Sequence, residues 1–134
     1  MMKPKLLDAL CALVSEQERV HDADAWLIDQ RRRYIGQADV VLQPMSVASV
    51  QAIMRFCFEH RIPVTPHGGN TGLCGAAVPQ GGVLLNLSKL NRIRRISLAD
   101  HAITVDAGCV LHTVQQAAEQ AGRFFPLSLA SEGS

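Results

Sequence analysis

Apolar residues recur along the chain with two periods, and the changes between them mark out its elements. From Pro4 to about residue 19, Leu6, Leu7, Leu10, Leu13 and Val14 fall three and four apart, which predicts an amphipathic helix with Pro4 in its first turn. Residues 21–37 lose that spacing and read as a polar connection, anchored to the domain by Trp26 and Tyr34. Val40-Val41-Leu42 is a short buried strand stopped by Pro44. Ser46 is placed to cap a helix over 47–60, with an apolar stripe of Val47, Val50, Ile53, Met54, Cys57 and Phe58. A second strand at 62–66 carries Pro63 and Pro66, which suits a sheet edge or a strand end. Strand, helix and strand with short connections predict a parallel βαβ unit over residues 40–66.

Val83-Leu84-Leu85-Asn86-Leu87 is another apolar β-run. Residues 92–96 and 102–106 alternate as two half-exposed strands about a turn at 99–101, so Arg92, Arg94 and Arg95 form a solvent face. A last helix spans about 110–121, with Leu111, Val114, Ala117, Ala118 and Ala121 inward and Gly122 closing it. The order of elements describes a mixed α/β (α+β) domain.

Composition narrows the classes. With 134 residues, 48% hydrophobic and 19% charged, the chain can build one core and is not a disordered segment. Thirteen Lys and Arg against twelve Asp and Glu leave +1, so no global field attracts nucleic acid or an acidic membrane. Arg31-Arg32-Arg33 is flanked by Asp29 and Asp39 and reads as a solvated loop rather than a phosphate patch. No apolar run approaches the ~20 residues that span a bilayer. The basic start at Met1–Lys5 is followed by Asp8 and Ser15-Glu16-Gln17-Glu18-Arg19, which a secretory leader would not tolerate. A soluble cytoplasmic chain is expected. The four cysteines and five histidines show no Cys-x-x-Cys, His-x-His or His-Glu-x-x-His spacing, so no metal site is expected within the chain. Cys11 and Cys57 read as small core residues.

Chemistry concentrates in Pro66-His67-Gly68-Gly69-Asn70-Thr71-Gly72-Leu73-Cys74-Gly75, directly after a strand. Without a Cβ, successive N–H groups can turn toward a ligand, and such a nest of donors suits a phosphate or diphosphate. Asn70 and Thr71 add donors without negative charge. No Gly-Lys-Ser/Thr ending and no Gly-x-Gly-x-x-Gly is present, and the loop leads to another strand rather than a helix. It is therefore neither a P-loop nor a dinucleotide fingerprint. The residues alone leave open a tight connection without a ligand. His67 reads as a partly exposed loop histidine, and Cys74 as a small packed residue.

This string, placed after a βαβ unit that starts Val41-Leu42-Gln43-Pro44, resembles the pyrophosphate loop of vanillyl-alcohol-oxidase-type flavoproteins, the FAD-linked oxidases with a PCMH-type FAD domain. Arg33-Tyr34-Ile35-Gly36, Asp106-Ala107-Gly108-Cys109-Val110-Leu111 and Pro126-Leu127-Ser128-Leu129 match as well, so the resemblance covers essentially the whole chain. Gly-Gly-Asn-Thr-Gly with Ala-Gly-Cys-Val-Leu is similar to the D-2-hydroxyacid dehydrogenase branch of that family.

The resemblance implies FAD, with its diphosphate on the backbone of Gly68 to Gly72 and on Asn70 and Thr71. It extends the cofactor contacts to Pro66, His67, Leu73 and Gly75, and to Pro126, Leu129, Gly133 and Ser134. Members that attach FAD covalently through this loop carry a histidine after the Gly-Gly pair; Asn70 stands there, implying non-covalent FAD. Residues 1–37 are expected to be an N-terminal helix and connection. Residues 38–134 are expected to be the FAD-binding domain, made of the first βαβ subdomain and the start of a second. Ser131-Glu132-Gly133-Ser134 resembles the opening of a second FAD segment, so a longer protein cut at this point is expected. In this branch a catalytic histidine and a divalent-metal site for the substrate carboxylate lie in later sequence, so the chain alone is expected to show no turnover. The implied partners are a small 2-hydroxyacid, an unidentified electron acceptor and further copies of the chain in a homo-oligomer. The implied location is cytoplasmic, or peripheral to a membrane through the acceptor. Two alternatives stand beside this reading: an alcohol or sugar-lactone oxidase of the same superfamily, and a short non-catalytic nucleotide-binding or assembly protein.

Overall fold

The computed structural model describes residues 1–131 and Gly133. The elements are α1 (Pro4–Cys11), β1 (Val40–Leu42), α2 (Val47–Glu59), β2 (Val64–His67), β3 (Val83–Asn86), β4 (Ile93–Ser97), β5 (Ala102–Val105) and α3 (Leu111–Gln120), with single 3-10 turns at Glu16–Glu18 and Asp24–Trp26. They form two compact units, Met1–Lys89 and Leu90–Ser134. The molecule is a small mixed α+β domain.

In the first unit a three-stranded parallel sheet has the order β1-β3-β2. The βαβ unit is parallel as its spacing predicts, but β3 lies between its two strands. β3 is buried along its whole length, and the most buried strand takes the centre of the sheet. β2, with Pro66 unable to donate to a ladder, takes an edge. Residues 18–20 run along the free side of β1, where Val20 N–H donates to Val41 O at 3.0 Å and Gln43 N–H to Glu18 O at 2.8 Å. That edge is thereby covered.

Side-chain alternation divides the core. Leu42, Val83 and Leu85 face Leu10, Val14, Ile53 and Cys57 of the helical layer. Val41 and Leu84 point to the other face, against Ala23, Val20, Trp26, Leu27 and Ala38 of the connection.

Two helical expectations change. The first helix ends at Cys11 rather than near 19, because Ser15 starts a new turn. Ser15 and Glu18 form a reciprocal capping box there, and Arg19 donates to Cys11 O at 2.7 Å, closing the helix behind it. The stripe of α2 is also narrower. Ile53 and Cys57 are buried and Val50 half-buried, whereas Val47, Met54 and Phe58 lie further round the helix and are exposed, Phe58 at 85%.

In the second unit β4 and β5 form the expected antiparallel hairpin, with a register shift between Ile93 and Arg95. Arg94 pairs with Asp106 across it. α3 buries Val114 and Ala118, narrower than the inward face expected, and Gly122 follows with a left-handed φ of 65°.

Candidate functional site

The three parallel strands end on the same side of the sheet, with Gln43 directly after β1, His67 closing β2 and Asn86 closing β3. In parallel sheets the crevice outside the carboxyl ends is where ligands bind. Here the three polar residues are joined. Asn86 is 2% exposed and His67 4%. Asn86 Oδ1 accepts from Gln43 Nε2 at 3.2 Å and from the Ser88 N–H at 3.0 Å, and it lies 2.5 Å from Ser88 Oγ. Its Nδ2 therefore faces the other way, 2.9 Å from His67 Nδ1 and 3.2 Å from Gly68 O. The Trp26 ring packs on His67, with centroids 5.7 Å apart. Burial holds the His67 pKa below its ordinary value, offset in part by the neighbouring Asn70 side chain.

The glycine loop leaves β2 at this point. Asn70 takes a left-handed φ of 55°, and its Nδ2 donates to Ile28 O at 2.7 Å, so its side-chain donor is engaged within the chain. Ile28 bridges Ile35, and the turn between them is held by Asp29, whose carboxylate accepts from the N–H groups of Tyr34 at 2.7 Å, Arg31 at 3.2 Å and Arg33 at 2.6 Å. These donors, Tyr34 foremost, hold the Asp29 pKa low against the opposing effect of burial. Tyr34 lies flat against the far end of the loop. A Cβ added at Gly75, φ 74°, would sit 2.9 Å from its ring. The connection thus clamps the loop at Asn70 and Gly75.

Between those clamps the backbone is open. The N–H groups from Gly68 to Gly75 make no hydrogen bond within the described chain. A Cβ at Gly68 or Gly72 would meet nothing within 4 Å, and neither residue has a left-handed φ. The fold itself therefore does not require glycine at either place. Bare donors with an open approach form a cradle for an anionic group such as a diphosphate. No carboxylate occurs within residues 66–77 to oppose the anion. His67 Nε2 and Asn70 Oδ1 are buried at the root of this cradle, and neither makes a hydrogen bond of ordinary geometry.

The residues singled out from sequence fall in two places. Pro66, His67, Gly68, Gly69, Asn70, Thr71, Gly72, Leu73 and Gly75 form the edge strand end and loop of the first unit, with Thr71 half-buried and Leu73 exposed. Pro126, Leu129 and Gly133 lie exposed in the second unit, and Ser134 is outside the described residues. His67 is not the partly exposed loop histidine expected, because it closes β2 under Trp26 and Asn86. Cys74 is exposed rather than packed, since the loop turns outward between its clamps. Sequence reasoning missed Asn86, Gln43 and Ser88. The available signal was a polar residue ending each apolar strand run, read with the strands parallel. Among the described residues no group of three or more His, Cys, Asp or Glu could hold a metal.

Comparison with known proteins places this geometry. The chain is 33% identical over 138 residues to a D-2-hydroxyglutarate dehydrogenase of Stutzerimonas stutzeri, covering 100% of this chain and 30% of that protein. It is 34% identical over 108 residues to the mitochondrial D-2-hydroxyglutarate dehydrogenase of Danio rerio, covering 80% of this chain and 20% of that protein. The chain thus spans less than a third of these relatives. The fold superposes on an alkyldihydroxyacetonephosphate synthase with a TM-score of 0.77 at 15% identity, over 91% of this chain and 28% of that one. On p-cresol methylhydroxylase the TM-score is 0.73 at 21% identity, over 96% and 27%. Residues 38–134, which include all three parallel strands and the whole loop, match the FAD binding domain family, and the chain belongs to it.

Proposed function

We propose that this chain is the FAD-binding part of a flavin-dependent dehydrogenase that oxidises a D-2-hydroxyacid, of 2-hydroxyglutarate or lactate type, to the 2-oxoacid. The observation that carries the reading is the open run of unpaired N–H groups from Gly68 to Gly75, placed at the carboxyl ends of a parallel sheet. The residues fit FAD: Gly68 to Gly72 and Thr71 would hold the diphosphate, with Asn70 setting the loop and Pro66, His67, Leu73 and Gly75 around it. Pro126, Leu129, Gly133 and Ser134 are further cofactor-contact candidates by resemblance alone. When bound, the flavin supplies a hydride acceptor for oxidation of the substrate C–OH, and a separate electron acceptor completes the cycle. The part played by this chain is to bind and orient. The catalytic histidine and divalent metal implied by resemblance belong to other sequence.

The hydroxyacid substrate is favoured because relatives above 30% identity are named D-2-hydroxyglutarate dehydrogenases and, at 35%, a putative D-lactate dehydrogenase, while the p-cresol methylhydroxylase likeness at 21% concerns the fold. Residues 1–37 act as an accessory layer that clamps the loop. Four free cysteines support a reducing compartment, the cytoplasm in this reading. The Danio rerio relative is named mitochondrial, and no helix among the described residues is long and apolar enough to cross a membrane. Exposed Phe58 and Phe124 support self-association.

FAD is held without a covalent bond, since no histidine follows Gly69. Protein loaded with FAD, then denatured and filtered, should release all of its flavin unmodified. Flavin absorbance retained on the unfolded polypeptide would contradict this.

A further inference from the structure

The network at the strand ends has a direction. Asn86 Oδ1 faces the donors of Gln43 and Ser88, so the Asn86 amide can stand in only one orientation, with Nδ2 toward His67. An NH2 group facing His67 Nδ1 requires that nitrogen to be an acceptor. Neutral His67 must then carry its proton on Nε2. Nε2 is buried beside Asn70, whose Oδ1 is also buried and is an acceptor. Asn70 in turn is the residue with left-handed backbone at the centre of the glycine loop, tied through Nδ2 to Ile28. Donor and acceptor therefore alternate from Ser88 and Gln43 through Asn86 to His67, and Asn70, whose side chain neighbours the far nitrogen of that ring, is tied to the connection.

We propose that Asn86, oriented by Gln43 and Ser88, locks His67 as the neutral Nε2–H tautomer, and that this ring acts through Asn70 as the positioning residue of the glycine loop. Toward FAD this rests on the loop being the diphosphate site; the tautomer and the loop conformation do not. A glutamine at position 67 could reproduce the arrangement, with its carbonyl accepting from Asn86 and its NH2 donating toward Asn70. Leucine could do neither.

The test is nitrogen-15 NMR of the 134-residue chain. At neutral pH the His67 ring should show an unprotonated Nδ1 and a protonated Nε2. In Asn86→Asp, a carboxylate replaces the NH2 group and should draw a proton to Nδ1. The amide signals of Gly68 to Gly75 and the Asn70 side-chain amide should move with it. His67→Gln should keep the wild-type loop signals and His67→Leu should lose them, with FAD affinity in His67→Leu falling about tenfold. A wild-type ring protonated on Nδ1, or loop signals unchanged in both Asn86→Asp and His67→Leu, would overturn the proposal. The wild-type tautomer is decisive even if a variant fails to fold. If the tautomer and loop shifts hold but FAD leaves the loop signals unmoved, the FAD reading fails and the positioning inference stands.

Discussion

Glu18 is charged although it is only 6% exposed, and its surroundings explain why. Burial favours the protonated acid, but the Met45 N–H at 2.9 Å, the Ser49 hydroxyl and the Ser15 N–H and hydroxyl at 3.0 Å outweigh it, and the pKa falls to about 2 from 4.5. A carboxylate with a lowered folded pKa stabilises fully above the unfolded value. Its contribution is lost as pH falls from about 4.5 toward 2. Urea midpoints measured across that range should fall steeply in the wild type and more gently in Glu18→Gln. Glu18→Ala should cost about 2 kcal/mol at neutral pH, from the lost cap and charged hydrogen bonds. The glycines divide in a comparable way. Gly75→Ala forces a left-handed backbone and a Cβ against the Tyr34 ring, and should destabilise by roughly 1–3 kcal/mol. Gly72→Ala meets nothing and should leave thermal stability within about 0.5 kcal/mol, yet it narrows the approach to the open N–H groups. Thermal melts of the two variants, each paired with an FAD titration, should show these opposite profiles.

At the scale of elements, helix α2 joins capping to packing. Ser46 Oγ accepts from the Ser49 N–H at 3.0 Å, so Ser46→Ala should lower stability by about 1 kcal/mol in chemical denaturation. Ile53→Ala should cost about 2–5 kcal/mol, whereas Phe58→Ser on the exposed side should cost little. These differences also explain what could be read from sequence. Strands β1 to β5 and helices α2 and α3 were legible because each carries a strong local period or cap. Insertion of β3 between β1 and β2 was not, since strand order depends on which strand loses most by exposure. The break after Cys11 was missed because Leu13 and Val14 continue the apolar spacing past a point where Ser15 and Glu18 close a separate turn. The glycine loop stood out by composition. Its support did not, because Gln43 reaches Asn86, and Asn86 reaches His67, only after distant strands are laid parallel.

At the scale of the whole molecule, two compact units are built on different plans, a parallel sheet with helices and an antiparallel hairpin with one helix. The first carries the open cradle and the connection that clamps it. The central claim is that Gly68 to Gly75 receive the diphosphate of FAD, and a titration of the nitrogen-15-labelled chain with FAD tests it most directly. Saturable shifts confined mainly to the amides of Gly68 through Gly75 and the neighbouring Asn70 and Thr71 side chains are expected, with ADP producing the same loop shifts. Saturating FAD that leaves those amides unmoved, or that moves only signals elsewhere in the chain, would contradict it.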